Sequence, residues 1–187
     1  MINREEALIL LKRYLKDDKM VKHCIAVESI MRALARRLNK DEELWGLIGL
    51  LHDIDYDIVN RDLRVHGLKA IEILKGKLPD IALHAIAAHN ENNGFQTSIP
   101  ESQYIATALR AADHIAGLIV ATALVMPNKK VEEIKISTLK RKFRSKDFAR
   151  GVNRERIRGI EELGISLDEF FKIALEAMKD IANELGL

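Results

Sequence analysis

The sequence predicts an all-α fold, on three observations. Apolar residues recur at helical spacing, as in Val21, Ile25, Ile30, Leu34 and Leu38, over much of the 187 residues. Residues suited to capping stand where such runs begin, at Asn3, Asp41 and Ser166. No strand-like pattern is longer than Lys135-Ile136-Ser137-Thr138, and neither a repeat of fixed period nor a low-complexity tract interrupts the chain.

Taken in order, Asn3 caps a first helix over about Arg4 to Lys16, with Glu5 and Glu6 favourably placed in its first turn. Asp17-Asp18 interrupts before a second helix, about Lys19 to Leu38. Asp41 caps a third, which runs through the apolar stretch Leu44 to Leu51 and ends at His52-Asp53. A polar stretch through Asp57, Asn60 and Asp62 leads to a helix over about Val65 to Leu74. Pro79 starts a short helix to His89, stopped by Asn90-Glu91-Asn92-Asn93-Gly94. Pro100-Glu101 opens a long central helix that Pro127 closes. Ser166-Leu167-Asp168-Glu169 is a capping box for a final amphipathic helix to about Glu184.

Composition narrows the class. Charged residues make up 31% and apolar residues 48%, as in an ordinary soluble protein, and the net charge is only +2. The single cysteine, Cys24, rules out an internal disulfide framework; with no apolar signal core near Met1, it fits a cytoplasmic protein. Ile105 to Val125 approaches membrane-spanning length, but Arg110, Asp113 and His114 lie at its middle, and each disfavours insertion by about 3 kcal/mol. We read it as a buried helix, with no membrane partner. Composition shifts at Lys129. From there to Arg158 twelve Lys/Arg face four Asp/Glu, whereas the last 29 residues carry an excess of five negative charges. Residues 1–128 therefore read as one helical domain, and 129–187 as a basic segment plus a C-terminal helix packed on that same domain.

The His52-Asp53 pair closes a buried helix, where an unpartnered imidazole or carboxylate costs several kcal/mol. A bound cation is the simplest partner. Other candidate ligands are His23 inside the second helix, His66 beside the small residues Gly67 and Ala70, His89 at the irregular loop, and Asp113 among alanines on the most apolar helix. Imidazole and carboxylate together suit zinc, manganese or iron. His84 and His89 lie five residues apart, about 140° around a helix, so only one of them faces a common site; His89 adjoins the loop and is preferred. His84 and His114 read as polar tips at a helix surface.

The order His23, His52-Asp53, Asp113 resembles the H…HD…D signature of the HD superfamily of metal-dependent phosphohydrolases. Leu51-His52-Asp53-Ile54-Asp55 resembles its HDIG variant, with Asp55 in place of Gly. His66 and His89 resemble the added ligands of the two-metal members, and Ala111-Ala112-Asp113 the terminal AD motif. The resemblance covers roughly Val21 to Val125. Two departures limit it: Tyr56 stands where many members carry Lys, and no Gly-Tyr-Pro follows His89 as in the cyclic-di-GMP-cleaving branch.

The resemblance implies an HD-domain helical bundle with additional C-terminal helices. It implies a site of His23, His52, Asp53, His66, His89 and Asp113 holding divalent transition metal, two ions of Mn, Fe, Zn, Ni or Co, with His52 and Asp53 central to catalysis. A hydroxide shared by the two ions would cleave a phosphoester or phosphoanhydride bond of a nucleotide or other small phosphate compound. The alternative is a non-catalytic regulatory module that binds a nucleotide; the complete ligand set argues against it. Arg61, Arg64 and Lys69, nearest in sequence, are candidate phosphate contacts or parts of a solvated loop. Asp55 and Asp57 either orient ligating imidazoles or cap a turn. The run Lys140 to Lys146, continued by Arg150, Arg154, Arg156 and Arg158, is a solvated face or a partner of the acidic last helix. Otherwise it contacts a phosphate-rich ligand over the site. A nucleic-acid surface fits less well, because only Phe143 and Phe148 interleave the charges. Apolar helices of this kind could include a homodimer face.

Overall fold

A computed structural model describes residues 1–187 as ten α-helices with no β-strand. The helices are α1 (Arg4–Tyr14), α2 (Asp18–Leu38), α3 (Glu42–Leu51), α4 (Leu68–Leu74) and α5 (Asp80–His89). They continue with α6 (Pro100–Leu124), α7 (Ile136–Arg144), α8 (Arg154–Arg158), α9 (Leu167–Asp180) and α10 (Ala182–Leu185). The chain is therefore the all-α bundle expected.

Local chemistry sets most boundaries. Asn3 and Glu6 form a reciprocal capping box at α1, while Asp17 and Asp41 accept backbone N–H bonds at the starts of α2 and α3. Pro100 occupies the first position of α6, where its missing N–H would have no partner anyway. Helix α6 has the length and apolarity of a membrane span, but it is mostly buried inside the bundle. It packs against α2, α5, α7, α8 and α9.

Three elements depart from the sequence reading. Helix α4 begins at Leu68, not Val65, because Gly67 at its N-cap takes φ = 88°, a left-handed conformation that breaks the helical path. His66 thus sits in a turn. The strand-like Lys135 to Thr138 opens α7 instead, which buries Leu139 and Phe143 in the core. Packing overrides the β-branched residues there. Finally, only half the box at Ser166 forms: its hydroxyl accepts from Glu169 N–H at 3.2 Å, but the Glu169 side chain turns to Arg37 on α2.

One core runs through both halves of the chain, joining Leu11, Ile30, Trp45 and Ile119 to Phe170 and Met178. Two helices approach closely where the site is built. A Cβ on Gly49 of α3 would lie 2.9 Å from the Glu28 Cα of α2, so only glycine permits this crossing. It brings His52, one turn along α3, against His23 of α2, with ring centroids 5.5 Å apart.

Candidate metal centre

Six side chains from separate elements converge beside that crossing. His23 comes from α2, His52-Asp53 from the end of α3, His66 from the turn before α4, His89 from the last turn of α5 and Asp113 from the middle of α6. His23, His52 and Asp113 form one group whose ligand atoms all lie within 4.8 Å of one another, and Asp53, His66 and His89 form a second. Asp53 links the two groups. Its Oδ2 lies 3.2 Å from His52 Nε2, and its Oδ1 lies 3.1 Å from His66 Nε2 and 3.8 Å from His89 Nε2. His23 Nε2 lies 3.0 Å from Asp113 Oδ1.

Three imidazoles are oriented from behind through Nδ1, which leaves Nε2 facing the centre. His52 Nδ1–H donates to the Gly49 carbonyl at 2.8 Å, and His89 Nδ1–H to the Ile86 carbonyl. Each uses a carbonyl of the last helical turn, which has no helical donor left to satisfy it. His66 Nδ1–H donates to Asp55 Oδ1 at 2.8 Å. Asp55 is fully buried, and its other oxygen accepts from the backbone N–H of Gly67 (2.8 Å) and Ala70 (3.0 Å). Asp55 thus both orients an imidazole and caps α4. Asp57 faces away, accepting from Lys16 N–H at 3.1 Å.

Electrostatics follow from the crowding. Burial alone would lower the His52 pKa, but Asp53 and Asp113 overcome it and push it up to about 9. His66 is raised to about 9 against the same burial by Asp53 and Asp55. Burial holds His89 down at about 4, reinforced by the charges on His52 and His66. Asp53 stays well below the carboxylate range despite burial, because His52 and His66 face it. His23 holds Asp113 low in the same way. The carboxylates therefore demand positive charge, and protons on two imidazoles supply it.

The donor set fits a metal better than it fits protons. His52 Nε2 is buried and makes no hydrogen bond, its approach to Asp53 lacking the required geometry. A buried ring nitrogen with no partner, aimed among carboxylates and imidazoles, is a position that a metal cation takes up in place of the proton. Cys24 also comes within reach of His52 and Asp53. Burial, with Asp53 and Asp113, raises its thiol well above the ordinary value, so it stays protonated and reads as a core residue.

The cations expected to contact phosphate lie elsewhere. Arg64 is exposed and paired with Asp62 at 2.7 Å, Lys69 is paired with Glu72, and Arg61 extends over the Tyr56 ring. None of the three lines the cleft of ≈ 440 Å³ that opens above the candidate metal ligands. The cleft is walled by Tyr56, Asn90, Asn92, His114, Gly151 and Arg156. His114, read as a surface tip, is one of its walls, and Arg156 arrives from beyond residue 128. Proline and capping signals marked the helices, but nothing in the linear spacing marked a contact between positions 114 and 156. His84 lies apart, hydrogen-bonded to Thr97 Oγ1 at 3.0 Å. Of the basic run, Lys140 pairs with Asp168 of α9 at 2.6 Å.

Comparison with known proteins agrees with this geometry. The family described as HD domain matches residues 20–119. Ribonuclease Y of Lactobacillus gasseri and that of Lactobacillus johnsonii are each 32% identical over 100 residues, which are 53% of this chain and 17% of theirs. Ribonuclease Y of Lactobacillus acidophilus is 32% identical over 103 residues. The chain thus spans about a sixth of the length of these relatives. No solved structure matches it. HD domains bind divalent metals and belong to a superfamily of metal-dependent phosphohydrolases. With the six candidate ligands inside the matched region, the chain belongs to the HD domain family.

Proposed function

We propose that this protein is a two-metal phosphohydrolase that cleaves a phosphoester or phosphoanhydride bond of a nucleotide or related phosphate compound. The observation that carries this reading is Asp53, whose two oxygens face different histidines and so suit a carboxylate shared by two ions. His23, His52 and Asp113 would complete one coordination sphere, and His66 and His89 the other. When bound, two divalent ions supply a water acidified towards neutral pH and positive charge against the phosphoryl oxygens. The chain's own part is to hold the carboxylates ionised, fix His52, His66 and His89 in one tautomer through Nδ1, and leave a polar cleft for the ester. The name of the relatives, Ribonuclease Y, supports including phosphodiesters among the candidate bonds.

The test loads the protein with Mn, Fe, Co, Ni or Zn singly and screens nucleoside mono-, poly- and cyclic phosphates and short RNA. The expected result is about two ions per chain and turnover of at least one phosphate class. Asp53→Ala should lose both metal and turnover while retaining its helix content. Bound metal without turnover of any substrate would favour the regulatory alternative, and a protein that takes up no metal would overturn the reading altogether.

A further inference from the structure

The start of α8 sets the Arg156 side chain and the Asn153 backbone against His114 of α6, at the wall of the cleft above the candidate ligands. The Asn153 backbone N–H is aimed at His114 Nδ1, at 3.2 Å. An N–H of Arg156 Nη1 is aimed at His114 Nε2, also at 3.2 Å. A neutral imidazole offers one in-plane lone pair and carries one N–H. Two donors thus point at two ring nitrogens of which only one can accept. Whichever nitrogen bears the proton, one contact sets donor against donor.

The rest of the Arg156 guanidinium is fixed. Its Nε and Nη2 edge grips Glu91 Oε2, each at 3.1 Å. This holds the fork in place and leaves Nη1 directed towards His114. Asn153 caps α8, accepting from Arg156 N–H at 3.3 Å. The preceding turn is clamped by Arg154, which donates to the carbonyls of Ala149 (2.7 Å) and Val152 (2.8 Å). The Arg156 side chain is about a quarter exposed, and both it and His114 line the same cleft as Asp53, His66, His89 and Asp113.

We propose that Arg156 and His114 form the phosphate cradle of this site, the Arg156 Nη1–H and the His114 Nε2–H donating together to a non-bridging phosphoryl oxygen of the substrate. An anionic oxygen accepts from both groups and removes the donor–donor conflict. Asn153 N–H keeps Nδ1 as the accepting nitrogen, which places the proton on Nε2. Glu91 is a positioning residue. Arg156 lies outside the region matched to the HD domain, so this chain brings its own phosphate contact from its C-terminal segment.

This inference rests on the phosphohydrolase reading, and the experiment separates the two. Wild type, Arg156→Met, Arg156→Lys and Glu91→Gln are loaded with Mn(II), and metal content and melting temperature are recorded for each. Binding of inorganic phosphate is then titrated calorimetrically. Arg156→Met should weaken phosphate binding roughly tenfold or more, the loss expected for a charge-assisted hydrogen bond, with metal content unchanged. Arg156→Lys should recover part of that loss, and it serves as the folded comparison if the Met variant proves unstable. Glu91→Gln should lose less. If the Arg156 variants bind phosphate as tightly as wild type, with at most a lower melting temperature, the cradle is wrong and Arg156 only ties the C-terminal segment down. If metal-loaded wild type binds no phosphate, the phosphohydrolase reading and the cradle fall together.

Discussion

Asp55 shows how much depends on one side chain in this centre. Its two oxygens serve His66 and the first turn of α4, so its removal loosens a ligand and a helix at once. Asp55→Ala should weaken metal binding about 10–100-fold, the range found when a group behind a ligating imidazole is removed. Metal titration with a competing chelator measures this, and unchanged affinity would show that Gly67 and Tyr56 hold His66 unaided. Protonation makes a second prediction. His52 and His66 have pKa values of about 9, above the ordinary 6.5. In the metal-free protein their ionised forms stabilise the fold fully below pH 6.5, and that contribution is lost as the pH rises to about 9. Metal ligation needs the same nitrogens unprotonated, so metal affinity should rise over that interval, with proton release. Thermal melts from pH 6.5 to 9 should therefore fall without metal, and the gap between metal-loaded and metal-free melting should widen. A gap that stays constant with pH would contradict the assignment of these imidazoles as ligands.

Among the elements, α2 and α3 carry the geometry, and Gly49 is where they meet. Gly49→Ala places a methyl group 2.9 Å from backbone that cannot swing aside. It should destabilise the fold by about 1–3 kcal/mol, as overpacking does, and move His52 away from His23. Denaturant unfolding and metal stoichiometry measured together test this; loss of neither would mean the helices slide freely. The same elements show what was readable in advance. Asn3, Asp17, Asp41, Pro79 and Pro100 mark helix starts through local chemistry, and the bounds of α2, α3, α5 and α6 follow from them closely. The start of α4 is not legible locally, because it depends on Asp55, twelve or more residues away, and on the φ of Gly67. The helix over Ile136–Arg144 carries little local signal, because burial of Leu139 and Phe143, not intrinsic preference, decides it. The candidate metal ligands stand out in the sequence as polar groups in apolar runs. Arg156 does not, since it is one of twelve basic residues in its segment and only the folded chain sets it beside His114.

At the level of the whole molecule, the compositional break at Lys129 is not a break in the core. Phe170, Phe171, Leu175 and Met178 of α9 are buried in the same cluster as Ile30 and Ile119. Burying each such side chain stabilises the fold by about 2 kcal/mol, so together they are comparable with an ordinary domain's net stability of about 5–15 kcal/mol. A fragment ending at residue 128 should therefore fail to fold cooperatively, and calorimetry of the full chain should show a single transition. Two separate transitions, or a stable fragment, would make the C-terminal part an independent unit.

The cleft is assembled from two stretches of chain with different duties. Every candidate metal ligand lies before residue 120, whereas Gly151 and Arg156 reach over from the far end. Mutation can therefore remodel the segment 145–158, which ends in α8, and with it the walls of the cleft, without replacing any candidate ligand. The mouth of the cleft is thus open to change along most of that segment, with Arg156 as the position that the proposed phosphate contact holds fixed.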